Sequence, residues 1–144
     1  MATHSVKAST SFWVIAVIAF IWNGFGVLAY LGNAFMSEEI KAALPKEQLN
    51  MLNNTPAWVT AAFAIAVWGG LLGSILLLAR KKQAKRFFEI SLLGLIVQLI
   101  YNFFIIDSVK IYGNTSVILP IITLAFAIFL IGHAKRCTKE DLLT

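Results

Sequence analysis

Residues 57–79 read A-W-V-T-A-A-F-A-I-A-V-W-G-G-L-L-G-S-I-L-L-L-A and carry no charge, and the next seven, R-K-K-Q-A-K-R, carry five positive charges at Arg80, Lys81, Lys82, Lys85 and Arg86. An uncharged run of 23 residues is long enough, at ~1.5 Å per residue, to cross the ~30 Å hydrocarbon core of a bilayer as a helix. A block of five cations resists translocation, so it predicts which end of that helix stays in the cytoplasm. Everything else in the chain can be oriented from this junction.

Three further apolar runs follow from the same reading. Of the 144 residues, 59% are hydrophobic and only 13% charged, with a mean hydropathy of +0.80. A soluble domain carries about a quarter charged residues, so the composition describes an integral membrane protein. The formal net charge of +5 does not point to nucleic acid, because the Lys and Arg residues cluster at the ends of apolar runs. Their attraction to anionic headgroups is a by-product. The spans are predicted at about 11–34, 57–79, 87–106 and 116–134. The first is too long for the apolar part of a cleaved leader and is expected to be retained. The resulting fold class is all-α: a four-helix membrane bundle of up-down topology and one domain, with both termini cytoplasmic.

Between the first two spans, residues 37–55 are the longest polar stretch. Ser37 suits a helix N-cap ahead of Glu38 and Glu39. Pro45 suits the start of a second helix, and Thr55-Pro56 the start of span two. Ile40, Ala43, Leu44, Leu49 and Leu52 give this segment an apolar side, so short amphipathic helices on the outer membrane surface are expected.

Two sets of residues are candidates for function. Ala62, Ala66, Gly70 and Ser74 recur every fourth residue in span two, with Gly69 and Gly73 in the adjacent row. Small residues at this spacing let helices approach closely, either inside the chain or at a subunit interface. The second set is polar and intramembrane: Asn23, Gln98 and Asn102, with Tyr30 near one boundary and Glu89 near the other. Asn23, Gly26, Tyr30 and Asn33 share one narrow face of span one, and Gln98 and Asn102 share a face of span three. Intramembrane polar groups mark either interhelical hydrogen bonds or a solute path. Asn23 and Asn102 are expected to meet near mid-membrane. Glu89, just past Arg86, is expected to pair with Lys85 or Arg86 at the interface.

No metal or cofactor is expected. The one cysteine, Cys137, forms no cluster, and the histidines, His4 and His133, lie near opposite ends of the sequence. No nucleophile has a base partner at a recognisable spacing. Glu89 and Asp107 are 18 residues apart, about 27 Å along a helix, too far to act together within one span. An enzyme acting on lipid would need a pocket opening around one of them.

The runs F-W-V-I-A-V-I-A-F-I-W-N at 12–23, P-A-W-V-T-A-A-F-A-I-A-V-W-G-G-L-L-G-S at 56–74 and V-Q-L-I-Y-N-F-F at 97–104 resemble a family of small four-span bacterial inner-membrane proteins. That resemblance implies a bacterial host, four spans and an inner-membrane location, and it implies no site residues. Members of that family sometimes carry the label of sugar transporter. The Pro-Gln dipeptide of small sugar-transporting bundles is absent, the prolines being Pro45, Pro56 and Pro120.

Two functions follow as expectations. The first is a non-catalytic bundle in the lipid bilayer, self-associating as a homo-oligomer or serving a larger membrane complex through the small-residue face of span two, with the external 37–55 segment as its exposed recognition surface. The second is a small-solute transporter or channel working as an oligomer, since four spans are few to enclose a path, with Asn23, Tyr30, Gln98 and Asn102 lining a shared or internal cavity. They differ in whether Gln98 and Asn102 face a cavity or bond to Asn23.

Overall fold

A computed structural model describes residues 6–144, and His4 lies outside them. Among these residues four helical stretches are long and apolar enough to cross a membrane: α1 (Thr10–Ala34), α4 (Ala57–Leu78), α5 (Ala84–Ile100) with its helical continuation to Ile105, and α7 (Ile118–Lys139) with the turn from Asn114 that leads into it. Between α1 and α4 lie α2 (Glu38–Ala42) and α3 (Lys46–Asn54), and between α5 and α7 lies α6 (Ser108–Tyr112). Ser37 caps α2, its Oγ accepting from the Ile40 N–H at 3.3 Å. At the next junction the roles differ from expectation. Thr55 closes α3, donating to the Met51 carbonyl at 2.7 Å, and Pro56, rather than Thr55, occupies the N-cap of α4.

The third span starts one turn earlier than the sequence suggests. Ala84 to Arg86 are already helical, because the α4–α5 turn is only five residues long. At its other end α5 widens into a π-helical turn over Tyr101–Ile105, closed by Ile106 N–H donating to Tyr101 O at 3.1 Å. The fourth span is shifted C-terminally. A 3₁₀ turn at Asn114–Val117 precedes it, Pro120 falls in its first turn, and it continues to Lys139.

Helix α4 is the centre of the bundle, packed along α5 on one side and α1 on the other, and α7 packs on the far side of α5. The small residues explain this placement. Ala62, Ala66, Gly69, Gly70, Gly73 and Ser74 are all buried. Gly94 of α5 lies against the α4 backbone, where a Cβ would stand 2.6 Å from the Ala62 carbonyl oxygen and 2.9 Å from the Ala66 nitrogen. A Cβ on Gly70 would collide with the Asn23 amide of α1. The small-residue face is therefore filled by α5 and α1 of the same chain. The outward faces carry Val14, Ile18, Ile21, Leu28, Ile65, Leu93, Ile121 and Ile128, all exposed, as lipid contact demands.

One end of the bundle is sealed and basic. Phe12, Ala16, Leu77, Phe88, Leu130 and Ala134 form a continuous core there, joined by Leu142 and Leu143 from the segment after α7. Two left-handed helix ends meet beneath it. Arg80 (φ 58°) ends α4 and Asp141 (φ 56°) ends α7. In each case the next residue bonds back to the last turn: Lys81 N–H to Leu76 O at 2.8 Å, and Leu142 N–H to Cys137 O at 2.9 Å. These are Schellman turns with a charged residue where glycine is usual. The Arg80 guanidinium ties them together, with Nε donating to Leu142 O at 2.8 Å and Nη2 to Val6 O. In return, Thr144 N–H donates to the Arg80 carbonyl at 2.7 Å.

A two-chamber candidate binding site

Away from the basic end the four long helices part enough to hold two adjoining cavities. The inner one, about 400 Å³, lies among α1, α4, α5 and α7, and the outer one, about 360 Å³, is walled by α1, α3, α4, α5 and Tyr112. Each is in the ~300–1,000 Å³ range of small-molecule pockets. Phe63, Gln98 and Asn102 belong to both walls and form the partition between them.

The stripe on α1 runs through both chambers: Asn23 and Gly26 line the inner one, Tyr30 and Asn33 the outer one. Gln98 stands in the last turn of α5 and Asn102 one turn on, inside the π-helical turn. The π-turn begins between them and displaces Asn102 relative to a regular helix. Such turns recur at functional sites because they re-aim side chains at small cost.

The linings differ in character. The outer chamber presents Thr55, Thr60, Tyr101 and Tyr112 beside Tyr30 and Asn33. Tyr30 meets Phe63 edge-on at 5.4 Å between centroids, and Tyr101 meets Trp58 edge-on at 5.6 Å. The inner chamber is mainly apolar, with Ser91 and Thr123 as its hydroxyls. No charged side chain lines either chamber among the described residues. Both therefore suit an uncharged occupant, because a bare charge in this setting would lack a counter-ion.

Asn23 and Asn102 do not bond to each other as expected. The Asn23 Nδ2 donates to Ser74 Oγ at 3.1 Å and to its own helix at Ala19 O, 2.8 Å away. Ser74 in turn donates to Gly70 O at 2.8 Å. The α1–α4 approach brings Ser74 within reach first, which the spacing in the sequence could not reveal. Ser91 likewise bridges α5 to α4 by donating to Ala66 O. The amides of Gln98 and Asn102 have no side-chain hydrogen bond to protein among the described residues; they face the chambers. Replacing Asn23 with leucine is expected to lower stability by ~0.6 kcal/mol and by no more than ~1.7, the range for interhelical polar bonds in membranes. Reversible unfolding in mixed micelles would show it.

Glu89 takes no part in the site. It pairs with Lys85 at 3.2 Å, both side chains partly exposed. Asp107 pairs with Lys110 at 2.9 Å beyond the end of α5. Cys137 is inside the sealed end, 2% exposed, with Sγ 3.5 Å from His133 Nε2. It is buried there because α7 runs past it to Lys139 and Leu142 packs in the same core.

The sequence did not single out Phe63, Thr60, Trp22 or Thr123. Thr60 and Phe63 lie one turn apart, but in an unbroken apolar run only the neighbouring helices show which side is lined. The inner chamber has an open flank. Helices α1 and α7 meet through ring contacts, Phe12–His133 at 6.1 Å and Trp22–Phe126 at 5.7 Å, with no extended backbone seam. Beyond the Trp22–Phe126 pair, Phe25 of α1 and Leu119 of α7 line the chamber while 64% and 62% exposed. Comparison with protein-family models, with curated proteins and with solved structures finds no match to this chain.

Proposed function

We propose that this chain is a transporter-type membrane protein that takes an uncharged solute into chambers inside a single four-helix bundle. The observation that carries the reading is the partition at Gln98 and Asn102, whose amides face cavity on both sides and bond to no other side chain or backbone among the described residues. Both residues are half-buried, so their amides are open to the chambers and free to meet a ligand or water there. The sealed basic end supports a protein closed on one side and accessible on the other. With the basic loop in the cytoplasm of a bacterial inner membrane, the outer chamber opens to the outside. Each chain then holds its own site, and oligomerisation is not needed to form it.

The accessory-subunit reading relied on the small-residue face of α4, which α1 and α5 occupy, and it keeps only the external 37–55 segment as a recognition surface.

Asn102→Leu tests the proposal. In liposomes, flux of a panel of neutral polyols, sugars and amides is expected to fall at least ~10-fold, the loss of one good polar contact. Folded yield and unfolding midpoint should stay near the parent's, since Asn102 holds no helix–helix bond. A variant that loses stability and keeps flux would return Asn102 to a packing role. Native mass spectrometry of protein extracted from its host membrane adds a second check, because a stoichiometric foreign subunit would favour the accessory reading.

A further inference from the structure

We infer that the occupant is a neutral-headed amphiphile that reaches the inner chamber sideways from the bilayer, between α1 and α7. This rests on the two-chamber reading above and names its substrate class.

Three observations converge. First, the chambers form a polar space joined to an apolar one, with the Gln98 and Asn102 amides at the boundary. A hydrocarbon tail in the inner chamber and a hydroxyl- or amide-bearing head in the outer one would match both linings at once. A purely hydrophilic solute would leave the inner walls against nothing they can satisfy. Second, the inner chamber is flanked by a gap rather than a seam. Phe25, Ala29 and Leu119 line it and are exposed to the acyl-chain region. The Trp22–Phe126 ring pair forms its lower sill. What stands outside that gap in a membrane is hydrocarbon, so a tail can pass without crossing water. Third, the linings carry no charged side chain among the described residues. A phosphate or carboxylate head would be desolvated there without a cation to meet it. That disfavours the abundant anionic lipids and favours a head that only donates and accepts hydrogen bonds.

The test uses the full-length protein in nanodiscs of phosphatidylethanolamine and phosphatidylglycerol doped with monoolein as the probe. Lipid retained after transfer to the gas phase is read by native mass spectrometry. Monoolein is expected to be retained at least ~10-fold above its share of the disc, a free-energy preference of ~1.4 kcal/mol. Ala29→Trp at the gap and Ala127→Phe inside the chamber should each return retention to that share. Neither residue is part of the amide partition. The Gln98→Leu/Asn102→Leu pair should abolish the preference for monoolein over the phospholipids. Ala29 is exposed at the rim, so Ala29→Trp reports even if the inner substitution fails to fold. Retention of phosphatidylglycerol equal to monoolein, or retention unchanged by both filling variants, overturns the inference. If monoolein is not retained while polyol flux still depends on Asn102, the chamber is a solute site reached from water: the amphiphile occupant and its lateral route are both overturned, and the solute reading stands. If neither occurs, both readings fail together.

Discussion

Gly94→Leu is expected to destabilise the bundle by ~3 kcal/mol or more, the upper end for overpacking a tight interface. The reason is what a side chain there would strike. Its Cβ alone would come within 2.6 Å of the Ala62 carbonyl oxygen and 2.9 Å of the Ala66 nitrogen, both backbone atoms of α4. A flexible side chain can rotate away; a helix backbone has to translate. Moving α4 from α5 also breaks the Ser91–Ala66 bond and opens the largest helix–helix contact in the molecule. Lipid supplies no hydrophobic drive to restore that contact, so close packing has to do so. Gly24 is the control, because a Cβ there meets nothing within 4 Å. Gly24→Leu should leave the unfolding midpoint in sodium dodecyl sulfate titration almost unchanged. Equal losses at the two sites would show that the added bulk itself, not the α4–α5 approach, decides the cost, since helix propensity favours leucine over glycine at both.

Arg80→Ala is expected to cost ~1–2 kcal/mol, the lower part of the ~1.5–3 kcal/mol for a hydrogen bond made by a charged group, discounted because the residue is partly exposed. The guanidinium joins three segments distant in sequence: Val6, the turn after α4, and Leu142. Its loss frees Leu142 and Leu143 from beneath the bundle and uncovers the Cys137 side of the core. Arg80→Gly separates two effects. It loses the same bonds but relieves the left-handed backbone, so it should be ~1 kcal/mol more stable than Arg80→Ala. Amide exchange at residues 140–144 is the readout, with protection lost in both variants while α4 and α5 stay protected. Unchanged protection in Arg80→Ala would mean the tail is held by its leucines alone.

Parts of the candidate site were legible in advance. The face shared by Asn23, Gly26, Tyr30 and Asn33 follows from helical geometry and does line the chambers. Gln98 and Asn102 share a face for the same reason. Partnership was not legible. Asn23 bonds Ser74 rather than Asn102 because contact across helices depends on the vertical offset of α1 against α4, which no local rule supplies. The π-turn that separates Asn102 from Gln98 in register is equally invisible, since Tyr101–Ile105 has no glycine or proline to announce it. Arg80 shows the same limit. In the sequence it is the first of five cations expected to orient the span. In the fold its backbone ends α4 and its side chain binds two other segments.

The sequence by itself determined that four apolar helices are present, where they begin and end to within a few residues, and that α4 carries the small residues for close approach. These are properties of single segments: length against bilayer thickness, and the helical repeat. Only the tertiary structure decided that the small-residue face is filled from within the chain, that the basic end is sealed by Leu143 and Arg80, and that the polar stripe opens onto two chambers with a gap beside α7. Those features arise where one helix meets another, and they depend on offsets and separations between elements that the spacing of residues along each one does not encode.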